Sequence, residues 1–302
     1  MTPPAESRSG FVSLVGRPNA GKSTLLNRLV GQKLAIVSPR PQTTRNRITG
    51  IRNLPGAQVI FVDTPGLHAG QGKLGAFMLK TAQRAVEEVD VVCLVVDASR
   101  DAAPDDFVLA PLRRVAGPVF CALNKVDRVR PRPRLLPLID RWRQAHPFAE
   151  IVPISATDGT HCDRLLDLIV GALPRHPPFF PADATSDQPE TFYVAEVVRE
   201  KIFHLTHQEV PYAAAVRVEE LTERATPHRL HIRASIFVEQ ESQKGIVIGQ
   251  GAALLKRIGT EARQELERFF GIPVFLGLTV QVRRNWRKDD RALREFGFRL
   301  TS

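Results

Sequence analysis

Residues 16–24 read Gly-Arg-Pro-Asn-Ala-Gly-Lys-Ser-Thr, a loop of the form GxxxxGKS. It follows an apolar run at 11–15 and precedes the helix-like stretch 25–30. A strand that ends in such a turn points several backbone N–H groups into one hollow, and the helix that starts there adds its positive end. A polyoxygen anion fits that hollow. Gly16 and Gly21 allow the turn, Arg17, Pro18, Asn19, Ala20 and Thr24 complete it, Lys22 reaches the β and γ phosphates, and Ser23 offers a hydroxyl to Mg²⁺.

Two further motifs share that register. At 59–66 the chain reads Val-Ile-Phe-Val-Asp-Thr-Pro-Gly, a strand that delivers Asp63, Thr64, Pro65 and Gly66. An acidic residue there can hold Mg²⁺ through water, and the Gly66 amide can meet a γ phosphate. At 118–127 another apolar run ends in Asn124-Lys125-Val126-Asp127. A carboxylate at the edge of a base pocket accepts two hydrogen bonds from guanine and none of that pattern from adenine, so Asp127 selects GTP and GDP. Lys125 would cover base and sugar, and Asn124 would tie this loop to the first. Ser155, Ala156 and Thr157 follow a further apolar run and could offer N–H groups to the guanine carbonyl. Lys22 and Gly66 are thus candidate catalytic groups, and Ser23 and Asp63 candidate metal ligands.

These motifs need a scaffold, and the chain supplies one. Strand-like runs at 11–15, 58–63, 91–97, 118–123 and 151–154 alternate with helix-like stretches at 22–31, 75–88, 104–115, 134–146 and 160–173. That order predicts an α/β domain with a mostly parallel sheet, and every motif falls beyond a strand's carboxyl end, where such sheets bind ligands. The expected layout is a flexible N-terminus at 1–10, a nucleotide domain at 11–174, a proline-rich linker at 175–190 and a second domain at 191–302. Phe179 and Phe180 suggest that the linker packs as a strap. Beyond it come a helical pattern at 194–207, extended runs at 210–218 and 230–238, a helix at 252–270 interrupted at Gly259, and an extended run at 272–282. This is a small α+β domain. The glycine-rich stretch 245–252 before its helix could clamp a nucleic-acid backbone.

Composition limits the alternatives. The longest strongly apolar mid-chain run, 91–96, is far too short to span a bilayer, and residues 1–10 lack a signal-like apolar core, so a cytoplasmic location is expected. The three cysteines are far apart and make no disulfide or metal frame. The net charge of +10 is uneven: +9 over 1–182, −5 over 183–243 and +6 over 244–302. The basic run Arg283-Arg284-Asn285-Trp286-Arg287-Lys288, with an aromatic inside, points to a nucleic-acid contact.

The motifs in this order resemble the Era family of bacterial GTPases. The match runs through GRPNAGKSTLLNRL, SPRPQTTRNRITGI, DTPGLH, NKVD and ISATDGT, then FYVAEVVREKIFHLTHQEVPYA, and finally NWRKDDRALREFGF. The resemblance implies a P-loop GTPase domain of five or six strands followed by a type II KH domain. It also implies binding near the 3′ end of small-subunit ribosomal RNA and a role in assembling that subunit, with peripheral contact to the inner face of the membrane allowed and a monomer expected. It raises Thr44, with Thr43 as runner-up, to a metal-ligating switch residue in the segment 38–48 and adds it to the candidate catalytic groups Lys22 and Gly66. Related GTPases with the PNxGKS pattern make Asn19 a candidate K⁺ ligand. RNA would be held by Ile248, Gly249, Gln250, Gly251 and Ala252 with Lys244, Lys256 and Arg257. Here the sequence departs from the GxxG pattern of KH loops, with Ala252 in place of the second glycine. At a helix start that substitution would cost little. Leu67 stands where many small GTPases place a water-orienting Gln, which predicts slow intrinsic hydrolysis. His68 is expected to be an ordinary loop residue. A signalling or membrane-associated GTPase, whose second domain binds protein or lipid, and an RNA-binding scaffold with vestigial nucleotide binding are the alternatives. The latter is weakened by the presence of Lys22, Ser23, Asp63 and Asp127.

Overall fold

The computed structural model describes residues 7–38, 40, 43–67, 72–100, 103–226 and 228–298. His68 and positions 39, 41 and 42 of the expected switch segment lie outside these. The chain divides into two compact units, with the main break between Asp187 and Gln188 and residues 71–74 grouped with the second.

The first unit is built on β1 (Arg8–Val15), α1 (Lys22–Val30), β2 (Ile48–Leu54), β3 (Ala57–Asp63), α2 (Gly72–Glu87), β4 (Val91–Asp97), α3 (Asp106–Leu112), β5 (Val119–Asn124), α4 (Leu135–Ala145), β6 (Glu150–Pro153) and α5 (Cys162–Ala172). Its six strands lie in the order β2-β3-β1-β4-β5-β6, all parallel except β2. Every residue of β3 and β4 is buried, which is why both read as nearly unbroken apolar runs. Two expectations change. Residues 8–10, expected in a flexible terminus, pair with β3 as the start of β1. The antiparallel edge strand β2 was hidden inside a polar stretch. Its Gly50 sits where a Cβ would come 2.7 Å from a Val30 methyl, so close helix packing, rather than strand propensity, selected the residue.

Residues 175–187 form a strap on this unit. Ile51 N–H donates to Thr185 O at 2.8 Å, and the Ser186 hydroxyl to Thr49 O at 2.6 Å. Buried Gln58 accepts from the amides of Phe179 and Phe180 at 2.8 and 3.0 Å and donates to Phe180 O at 2.9 Å. The strap therefore covers the edge that β2 would otherwise leave open. Cys93 and Cys121, on β4 and β5, and Cys162, at the start of α5, are all buried free thiols. Burial pushes their pKa values up, to about 12 for Cys93 and about 11 for Cys162.

The second unit comprises α6 (Glu190–Leu205), α7 (Val210–Ala213), β7 (Ala215–Ala225), β8 (His228–Val238), α8 (Glu241–Ile248), α9 (Ala253–Phe270), β9 (Val274–Val282) and α10 (Asp290–Glu295). The sheet order is β7-β8-β9, with β8 and β9 parallel. Val194, Val197, Val198 and Ile202 of α6 pack with Ile258, Ala262 and Leu266 of α9 over Ile232 and Ile236. The extended run expected from 210 begins instead with the helical turn α7, and β7 starts at Ala215. The helix break expected at Gly259 is absent. α9 passes through it, and the true division between helices is the turn 249–252.

Trp286 overturns another expectation. It is fully buried, stacks on Phe298, and donates from Nε1 to Ala213 O at 2.8 Å. An indole so placed is core and is unavailable for base stacking. Its neighbours Arg283 and Arg287 pair with Glu295 and Glu239.

A buried ionic cluster joins α6 to α9: Lys201 pairs with Glu200 at 3.0 Å and with Glu265. Burial lowers the lysine pKa, but the two carboxylates outweigh it and the result lies above the ordinary 10.5. A raised lysine pKa stabilises the fold fully below the unfolded value and loses that stabilisation as pH rises through the folded value. Urea melts followed in this unit should therefore hold a constant midpoint through pH 9 and shift down above pH 10.5. In Lys201→Met the alkaline shift should shrink.

Candidate nucleotide site and nucleic-acid face

The sequence places the phosphate loop where β1 ends and α1 begins, next to the neighbours β3 and β4 on either side of β1. Both glycines of the loop are required: Gly16 has φ 145° and a Cβ there would come 2.3 Å from Val95 O, and Gly21 has φ 99° and a Cβ there would come 2.2 Å from Asn124 Nδ2. That amide donates to Ala20 O at 2.9 Å and its Oδ1 accepts from Ala156 N–H at 2.9 Å. Asn124 thus ties three loops together. Lys22 is only 6% exposed, and its ammonium lies 3.2 Å from both Gly16 O and Arg17 O, inside the arch of the loop. Burial lowers its pKa, opposed by Asp63.

Asp63 is fully buried. Its Oδ2 accepts from the Ser23 hydroxyl at 2.6 Å and from the Thr44 hydroxyl at 3.3 Å, and those two hydroxyls are 2.8 Å apart. Its Oδ1 is buried without a hydrogen-bond partner. Burial raises the Asp63 pKa, against the pull of Lys22, Ser23 and Thr44. Two hydroxyls and a carboxylate with a spare oxygen are the donor set of a hard divalent cation, so these residues fit Mg²⁺. Thr43 points elsewhere, donating to Arg40 O at 2.8 Å. Thr64 is structural, its hydroxyl held by Leu14 O at 3.1 Å.

These groups open onto a cavity of about 510 Å³, with Pro18, Asn19, Thr24, Gly66, Lys125 and Thr157 in its wall. Pro65 is buried beneath. The side chain of Arg17 does not join them, because Asp105 holds it at 2.6 Å; only its carbonyl faces Lys22. Ser155 is buried behind the wall, and the Ala156 N–H expected to meet guanine is turned to Asn124. Asp127 is 29% exposed, with Arg128 Nε at 3.7 Å. Arg100, Arg128 and Val37 line the cavity without having been expected there. Val37 directly precedes the switch segment and Arg128 directly follows Asp127, whereas Arg100 adjoins no motif, so spacing alone did not single them out. Leu67, 1% exposed, is fixed by its N–H on Gly16 O at 2.9 Å.

In the second unit the expected loop connects α8 to α9. Gly249 has φ 73°, Gly251 φ 56° and Ala252 φ 60°, so three of its four residues have positive φ. Ala252 is a correction: it lies outside the helix, in left-handed backbone, before α9. Gly245, Ile246, Val247 and Ile248, expected in the turn, are helical. A non-glycine residue in that conformation costs about 1–2 kcal/mol, against the roughly 0.5–1 kcal/mol of extra chain entropy that glycine loses on folding. Ala252→Gly is therefore expected to stabilise this unit by about 0.5 kcal/mol, read as a higher denaturation midpoint. An unchanged or lower midpoint would show that the strain is relieved elsewhere. Gln250, Lys256 and Arg257 are exposed and Lys244 is half-buried; Arg257 pairs with Glu261 at 2.8 Å. Ile246, 49% exposed, stands just before the loop. Half-buried Leu276, Leu278 and Val280 of β9 turn toward the helices, an apolar strip that the alternation at 272–282 could have suggested.

A family model described as a 50S ribosome-binding GTPase matches residues 11–125, and one described as a KH domain matches residues 209–287. The GTPase Era of Geotalea uraniireducens (strain Rf4) is 49% identical over 96% of this chain and 98% of its own length. This chain belongs to the Era GTPase family. The Era GTPase of Syntrophus aciditrophicus (strain SB) is 48% identical over 96% of this chain and 95% of its own. Among solved structures, a variant of Aquifex aeolicus Era bound to GDP and AlF₄⁻ superposes with a TM-score of 0.93 at 42% identity, covering 97% of this chain and all of that one. An Era complex with MgGDPNP and nucleotides 1506–1542 of 16S ribosomal RNA gives 0.92 at the same identity, with coverage of 97% and 100%. This chain is accordingly a GTPase, with a P-loop GTPase domain and a C-terminal KH domain.

Proposed function

We propose that this Era-family GTPase is a GTP-driven switch that binds ribosomal RNA near the 3′ end of the small-subunit RNA and assists assembly of that subunit. The observation that carries the switch is the meeting of Ser23, Thr44 and Asp63 oxygens within 2.6–3.3 Å beside the phosphate loop. Thr44 comes from the segment between α1 and β2, so a ligand that engages its hydroxyl would order that segment, and loss of the γ phosphate would release it. Ser23, Thr44 and Asp63 would hold Mg²⁺, whose charge offsets that of the phosphate oxygens. Lys22 and the backbone N–H groups of the loop, Pro18 excepted, would cradle the same oxygens, and the Gly66 amide would meet the γ position. Asn124, Lys125, Asp127 and Thr157 would form the base pocket, with Ala156 bracing Asn124 from behind.

Leu67 has neither the chemistry nor the exposure to orient water, so intrinsic hydrolysis should be slow. Asn19, in the cavity wall with φ 62°, would help bind K⁺ as a supplementary charge. Turnover measured in KCl should exceed that in NaCl at equal ionic strength, and equal rates would remove K⁺ from the mechanism.

For RNA, the loop 249–252 would clamp the backbone, flanked by Lys244, Ile248, Lys256 and Arg257, with the apolar strip of β9 beside it. The related Era complex with a 16S RNA fragment supports this reading. Filter binding to small-subunit RNA fragments tests it: binding that depends on whether GTP or GDP is present is expected. Absence of binding in both states would favour a signalling GTPase instead.

A further inference from the structure

Asp97 ends β4 beside Asn124 in the parallel register of β4 and β5, and none of the nucleotide motifs includes it. Its side chain is 10% exposed. The Oδ1 atom accepts from Ser99 N–H at 3.1 Å and from the Ser99 hydroxyl at 2.5 Å, which fixes the carboxylate plane. The Oδ2 atom accepts from Lys125 Nζ at 2.7 Å. The same ammonium donates to Asn19 O, in the phosphate loop, at 2.6 Å.

Two features make that bridge informative. Asn19 and Lys125 both adopt left-handed backbone, with φ of 62° and 68°. Neither is a glycine, so each conformation must be held by its surroundings. The ammonium holds both at once, and Asp97 is the anion that keeps it there. Burial alone would raise the Asp97 pKa; hydrogen bonds from Lys125 and Ser99 outweigh it and keep the group below the ordinary carboxylate range. It is charged throughout the neutral range.

We propose that Asp97 is a positioning residue for guanine-nucleotide binding, fixing the Lys125 ammonium on the Asn19 carbonyl so that the base loop and the phosphate loop form one preformed site. A lysine without this anchor would be drawn toward the nucleotide phosphates, and its stem would leave the surface that covers base and sugar. The γ position is approached by Lys22 and Gly66 instead, so GDP and GTP should suffer alike. The inference rests on the reading of this cavity as the nucleotide site.

The test follows dissociation of fluorescent GDP and a non-hydrolysable GTP analogue from the full chain, for wild type, Asp97→Asn, Asp97→Ala, Lys125→Ala and the double alanine variant. Loss of a hydrogen bond to a charged group predicts that Asp97→Ala releases both nucleotides about 10- to 100-fold faster, with Asp97→Asn between it and wild type. In steady state KM should rise while kcat at saturation holds. The double variant should be no faster than Lys125→Ala, because Asp97 acts through that lysine. Unchanged release in Asp97→Ala, multiplication of the two single effects, or a loss confined to the triphosphate would each overturn the proposal. If Asp97→Ala does not fold, the isosteric Asp97→Asn carries the same KM-against-kcat comparison. A wild type that retains neither nucleotide would instead remove the reading of the cavity itself.

Discussion

Asp127→Asn should convert a guanine site into a xanthine site. The carboxylate of Asp127 accepts from the guanine ring N–H and exocyclic amine, whereas an asparagine presents one acceptor and one donor. Its donor faces the exocyclic amine of guanine, leaving two donors opposed and unpaired, but faces a carbonyl in xanthine. Sites built to hydrogen-bond a substrate group reject the mismatched analogue by about 10⁴–10⁵-fold, and because Asp127 is 29% exposed the loss of GTP affinity should fall toward the lower part of about 10³–10⁵-fold. Competition binding of GTP against XTP reads it directly, and XTP should recover most of the loss. Equal weakening of both nucleotides would mean that the substitution disturbs the loop and that Asp127 does not read the base.

Lys22→Ala carries the second large effect. The ammonium lies inside the loop arch, 3.2 Å from two carbonyls, and the Asp63 carboxylate opposes the lowering of its pKa by burial. Removing one preorganised charge that faces a transferring phosphoryl group lowers kcat by at least about 10²–10³-fold. Lys22→Arg should not recover the rate, since a planar fork has no room where a compact ammonium sits between Gly16 O and Arg17 O. Single-turnover hydrolysis at saturating GTP separates this from a loss of binding. Activity of Lys22→Arg within tenfold of wild type would show that charge alone, without placement, suffices.

The sequence made the nucleotide site legible because its parts are local. A turn and a helix start lie within nine residues at 16–24, directly after the strand β1, and the turn can form only one kind of hollow. Thr44 over Thr43 was also within reach, although geometry decides it: one hydroxyl meets Ser23 and Asp63 and the other meets its own loop. What escaped were long-range pairings. Nothing in the spacing ties Arg17 to Asp105, and that pair removes the arginine side chain from the cavity. Likewise Lys125 was recognised as a cover for the base, but its anchor lies on another strand. In the second unit, Gly259 looked like a helix breaker. It lies inside the continuous helix α9, where a Cβ would make only an ordinary contact, 3.6 Å from Leu278 Cδ1, so a single glycine there does not break the helix. Ala252 misled in the other direction, since an alanine suggests helix and the loop imposes left-handed backbone. Trp286 showed the limit of reading an aromatic among cations: its ring fills the core, and two of the cations beside it, Arg283 and Arg287, form ion pairs.

The cysteines have a practical consequence. All three occupy the first unit, buried in β4, β5 and α5, with pKa values raised by that burial. Thiolate is the reactive form, so in the native chain alkylating reagents have almost nothing to modify. Labelling then becomes a clock for opening of the nucleotide domain, blind to events in the KH module, and it should slow when GTP or GDP is added. A cysteine introduced on the surface of the KH module would take up a fluorophore against a silent background, leaving the native three in place.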